Sequence, residues 1–101
     1  MRLSQYEIEL INLTARKCFG METKVFLFGS RVDDSLRGGD IDLFIHNDKS
    51  SQLNLETKVC FLAEIKTKIG DQKIDVVFDN ETTRSKTNFY RSIQNKNIEL
   101  Q

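Results

Sequence analysis

Apolar residues recur along the chain in two different periods. Between residues 6 and 18, Tyr6, Leu10 and Leu13 and, beside them, Ile8, Ile11, Ala15 and Cys18 follow at three- and four-residue steps, the signature of a broad helix face able to pack on a sheet. Ser4 with Glu7 three residues on makes a capping box, Leu3 and Ile8 hold the flanking staple positions, and Gly20 closes the segment, so a helix is expected from about residue 5. Lys24-Val25-Phe26-Leu27-Phe28 is then continuous, β-branched and aromatic until Gly29-Ser30, which predicts a strand buried on both faces that feeds a tight turn.

Ser30 and Asp33 resemble a second capping box, so a helical turn is expected there, with Leu36 to Gly39 as loop. Asp40 to Ile45 alternates, Asp40 and Asp42 on one face and Ile41, Leu43 and Ile45 on the other, as a half-buried strand does. Polar residues from Asp48 to Gln52 supply a turn and an N-cap. Leu55, Val59, Leu62, Ile65 and Ile69 trace a second amphipathic helix that stops at Gly70. Lys73 to Phe78 is a third strand, and Phe89, Tyr90 and Ile93 mark a closing helix. The order predicts an α/β (α+β) fold, a small sheet with helices packed mainly on one face. No internal repeat, low-complexity tract or linker interrupts it.

The 101 residues, 39% hydrophobic and 30% charged, are read as a single domain over 1–101, too small to enclose a large substrate alone. Fifteen Lys and Arg balance fifteen Asp and Glu, which argues against direct nucleic-acid binding driven by counterion release. The longest apolar runs fall far below the ~20 residues that span a bilayer, and no signal-peptide pattern opens the chain, so a soluble cytoplasmic protein is expected. Cys18 and Cys60 lack metal-site spacing and are expected to be buried free thiols.

The neutral sum hides unlike regions. Residues 33–48 hold Asp33, Asp34, Asp40, Asp42 and Asp48 against the single base Arg37, and residues 82–101 hold Arg84, Lys86, Arg91 and Lys96 against Glu99. The basic end is either a solvated helix face or a docking surface. In the acidic stretch, carboxylates at i and i+2 of a strand lie on one face about 6–7 Å apart at Cα, and oxygen-only ligation of this kind suits Mg²⁺. Asp75, alone among apolar residues on its strand, requires a partner, a metal or water. Gly29-Ser30 offers backbone N–H groups and a hydroxyl to an anion. Together these parts describe a site for a nucleoside triphosphate with Mg²⁺. His46 continues the face of Asp42 but is expected to be an exposed polar residue, and Tyr6 and Tyr90 to be packing residues.

The run Val25-Phe26-Leu27-Phe28-Gly29-Ser30-Arg31, then Gly38-Gly39-Asp40-Ile41-Asp42-Leu43, then Ile74-Asp75-Val76-Val77, resembles the minimal nucleotidyltransferases of the DNA polymerase beta superfamily. The resemblance implies a polymerase beta palm-like fold with a mixed sheet. It further implies that Gly29, Ser30 and Arg31 contact the triphosphate of ATP, that Asp40, Asp42 and Asp75 are catalytic and hold two Mg²⁺ ions, and that Asp75 helps activate the attacking hydroxyl. Members of this short form typically act as antitoxins to a HEPN-type toxin, in a hetero-oligomer, and some transfer AMP to a toxin tyrosine. The alternatives are a binding module that masks the toxin by contact alone, and nucleotidyl transfer to a small molecule.

Overall fold

The computed structural model describes residues 3–33 and 39–101; Asp34, Leu36, Arg37 and Gly38, named above, lie outside the described residues. Helix α1 (Gln5–Phe19) leads to strand β1 (Lys24–Phe28), and a 3-10 turn (Gly29–Val32) precedes β2 (Ile41–His46). Helix α2 (Leu55–Ile69) leads to β3 (Ile74–Phe78), the short α3 (Glu81–Ser85), α4 (Thr87–Asn95) and β4 (Asn97–Leu100). The sheet order is β3-β2-β1-β4, with β2 and β3 parallel and the other pairs antiparallel. Only the parallel pair needs a crossover, and α2 provides it. The result is a small mixed α+β sheet, as the element order predicts.

The boundaries follow local chemistry. Ser4 Oγ accepts from the Glu7 amide at 3.1 Å while Glu7 Oε1 accepts from the Ser4 amide at 3.0 Å, so the expected capping box opens α1. A second box opens α2, with Asn54 as its N-cap rather than a residue of the 48–52 stretch, because the chain first makes a 3-10 turn at Ser50–Gln52. The 3-10 turn after β1 starts at Gly29 and has no side-chain cap, so the expected Ser30 box is not what forms it.

One face of the sheet carries the main core. Ile8, Ile11, Ala15 and Phe19 of α1 and Phe61 and Ile65 of α2 bury Val25, Leu27, Ile41, Leu43, Ile45, Ile74 and Val76. The other face is smaller: Phe28, Phe44 and Ile93 are buried there, with Phe26, Val77 and Tyr90 packed against them, under α4. Helices therefore lie mainly, though not solely, on one side.

Four apolar positions depart from expectation. Tyr6 and Leu13 are 66% and 60% exposed, since the sheet meets α1 through Ile8, Ile11, Ala15 and Phe19 and leaves the flank of the broad stripe uncovered. Leu55 and Val59 are 75% and 57% exposed. Phe61 takes the inward position of α2 instead, its ring 5.3 Å from that of Phe19, which rotates Leu55 and Val59 outward. The thiols are free but not buried, Cys18 being half-buried and Cys60 exposed. The closing segment is two helices and a strand: Ile98 and Leu100 alternate with Asn97 and Glu99, and Leu100 is buried opposite Val25. Among the described residues no helix is long and apolar enough to cross a membrane.

Candidate active site

The ends of three strands meet where β1 stops and β2 begins. Phe28 pairs with Asp42 across the antiparallel ladder, and Asp42 pairs with Asp75 across the parallel one. The Ile41 amide donates to the Lys73 carbonyl at 3.0 Å, so Asp40-Ile41-Asp42 and Lys73-Ile74-Asp75 run side by side. Alternation turns both isoleucines into the core and leaves the charged residues on the opposite face. Lys73 Nζ lies 3.4 Å from Asp40 Oδ2.

Asp42 and Asp75 are close enough to share a hydrogen bond. Burial first, then the charges of Asp75 and Asp40 and the hydrogen bond with Asp75, push the Asp42 carboxyl up to about 6 from its ordinary 3.8, with Lys73 pulling weakly the other way. A strand interior thus holds anionic charge that a cation would relieve.

Gly29 lies against Asp42 with φ of 76°. A Cβ there would strike Asp42 Oδ2 and come within 3.1 Å of Asp42 Cγ, so both the backbone and the space demand glycine. Ser30 follows in the same turn. Arg31 reaches elsewhere with its guanidinium: Nε donates to the Gly39 carbonyl at 3.4 Å and a terminal nitrogen to Gln72 Oε1 at 3.2 Å. Gln72 Nε2 donates in turn to Glu7 Oε2 at 2.8 Å, which ties the turn to the N-terminus of α1.

The fold thus brings Gly29, Asp42 and Asp75 together, with Ser30 in the adjoining turn and Asp40 beside them on Lys73. Among the described residues no group of three or more His, Cys, Asp and Glu side chains is gathered as a metal site. The oxygen-only pair Asp42 and Asp75, with its raised Asp42, nevertheless has the chemistry of a hard-cation site. A cleft of about 460 Å³ opens against it, lined by Phe28, Asp42, Lys58, Asp75 and Phe89 among others. Lys58 and Lys73 were not expected here. Lys73 was legible in principle, since parallel pairing of the two similar segments sets it beside Asp40; Lys58 comes from α2 around the edge of β3 and carries no sequence signal.

The far end of the same face is a structural polar cluster. His46 is half-buried rather than exposed, its Nδ1 2.8 Å from Asp79 Oδ2 and its Nε2 3.0 Å from Asp48 Oδ1. Arg84 holds the nearly buried Asp79 carboxylate through two bonds, of 2.7 and 3.1 Å, and lies over the Tyr90 ring. Arg84 first, then His46, keep Asp79 below the usual carboxylate range. Lys96 is likewise engaged, 3.4 Å from Asp33 Oδ2, so two of the four C-terminal bases serve the fold.

A family model described as Polymerase beta, Nucleotidyltransferase matches residues 5–100. No curated protein matches the chain.

Proposed function

This chain belongs to the polymerase beta nucleotidyltransferase family, and from that premise we propose that it transfers AMP from ATP to a tyrosine hydroxyl of a HEPN-type toxin, acting as its antitoxin. The observation that carries the reading is the in-register pair Asp42 and Asp75, with Asp42 lying against the Cβ-free surface of Gly29. Its geometry suits a phosphate group entering above two carboxylates.

Backbone N–H groups at Gly29 and Ser30, with the Ser30 hydroxyl, would bind the triphosphate. Asp42 and Asp75 are the residues that would hold Mg²⁺, with Asp40 joining them once it leaves Lys73. The ion, when bound, neutralises phosphate charge and stabilises the charge that develops during displacement. Asp75, exposed at the open side of the edge strand, is accessible to a docked acceptor. The acceptor hydroxyl loses its proton to a carboxylate oxygen of Asp75, its oxygen bonds to the α-phosphorus, and the bond to the bridging oxygen breaks to release pyrophosphate. Arg31 holds Gly39 and thereby the entry to β2, a positioning role beside any contact with phosphate.

A second reading, masking of the toxin by contact alone, is favoured by the exposed Leu55 and Val59, which offer apolar area without catalysis. Incubation with ATP labelled at the α-phosphate, Mg²⁺ and the candidate toxin separates the two. Covalent label in the toxin with pyrophosphate release is expected; a tight complex without label would assign the masking role instead.

A further inference from the structure

We propose that Cys18 and Cys60 form a thiol–disulfide exchange site, at which a small-molecule disulfide such as glutathione disulfide enters at Cys60 and is resolved by Cys18 into an intramolecular bond joining α1 to α2. The two sulfurs are 2.8 Å apart although 42 positions separate them in sequence. Their helices are locked at this level on either side. Phe19 and Phe61, the next residue on each helix, stack at 5.3 Å, and Lys17 Nζ meets Glu64 Oε1 at 2.8 Å. The sulfurs can therefore join without moving either backbone far, the condition that most candidate pairs fail.

Exposure sets the order of events. Cys60 is open to solvent and Cys18 is half-buried. Burial first, then contact with Cys60, push the Cys18 thiol up to about 12, so Cys18 keeps its proton while its neighbour reacts. The Cys60 thiolate attacks one sulfur of the disulfide, forming a mixed disulfide and releasing one glutathione thiolate. With Cys60 tied up in the mixed disulfide its charge no longer opposes ionisation of Cys18, which loses its proton to solvent and attacks the Cys60 sulfur as the thiolate; the bond from Cys60 to glutathione breaks, and the second glutathione leaves as a thiolate that takes up a proton. Two cysteine thiols are oxidised and one glutathione disulfide is reduced to two thiols, so atoms and electrons balance.

The closed loop would contain β1, Gly29, Ser30 and β2, which is most of the candidate active site's first half. Closing it restricts the unfolded chain and raises the temperature of unfolding. The test is to expose the reduced full chain to glutathione disulfide and follow intact mass, non-reducing gel mobility and thermal unfolding. The mass is expected to fall by two hydrogens with no retained glutathione, and Tm to rise by about 10 °C or more, reversibly on reduction. Cys18→Ser should stop with one glutathione on Cys60, and Cys60→Ser should react at least about tenfold more slowly. Persistence of both thiols, stable glutathione on the wild-type chain, covalent dimers, or undiminished uptake by Cys60→Ser would each overturn the proposal.

Discussion

Asp42 is the residue on which site chemistry and folding stability meet. Its proton is held more tightly in the folded chain, near 6, than in the unfolded one, near 3.8. Linkage then requires that the metal-free protein lose stability as pH rises from about 4 to about 6 and stay weakened above. Glu7 and Asp79 shift the opposite way, so what they contribute is gained as pH rises to the ordinary carboxylate range and is nearly complete by pH 5. Thermal unfolding without divalent ions should thus show a higher Tm at pH 5 than at pH 7. Asp42→Asn should flatten this difference, and Mg²⁺ should raise the wild-type Tm at pH 7 more than that of the variant. Gly29→Ala places a methyl against the Asp42 carboxylate at a backbone angle unsuited to alanine. It is expected to cost about 1–3 kcal/mol in urea unfolding and to lower nucleotidyl transfer at least about tenfold.

The same face of the sheet carries the candidate active site at one end and a structural polar cluster at the other. Asp79, held by Arg84 and His46, joins the end of β3 to α3 and should matter for stability alone. Asp79→Asn is expected to cost about 2 kcal/mol, read by urea unfolding, with transfer activity retained in the fraction that remains folded. The contribution of Asp79 is present above an ordinary carboxylate pKa and is lost as pH falls through its lowered folded value. Elements were legible where one period dominated. The α1 and α2 segments, the three apolar strands and the glycine stops all declare themselves. β4 did not, because Ile98 and Leu100 give only two turns of alternation behind a stronger helical signal. The rotation of α2 was also hidden, since the pattern marks a wide stripe whereas the Phe19 and Phe61 contact selects its inward edge. Asp40, Asp42, Gly29 and Asp75 could be named in advance as chemistry-bearing, but the pairing of Asp40 with Lys73 depends on strand register, which no local pattern carries.

At the scale of the molecule, neutral net charge describes a chain whose charges are spent unevenly. Carboxylates gather at the strand ends, while Arg84 and Lys96 are drawn into internal pairs, leaving Lys86 and Arg91 exposed. Leu55 and Val59 project from α2 on the exposed side of that helix. Changing both to Asp should leave the fold and its circular dichroism intact, because neither side chain is in the core, and should weaken binding of the proposed toxin partner at least about tenfold. Adenylyl transfer is tested by the intact mass of the proposed toxin partner after incubation with ATP, Mg²⁺ and either the wild-type protein or Asp42→Asn. A partner heavier by one adenylyl group is expected with the wild type, and an unmodified partner with a folded Asp42→Asn. Modification at the wild-type rate by Asp42→Asn would contradict it.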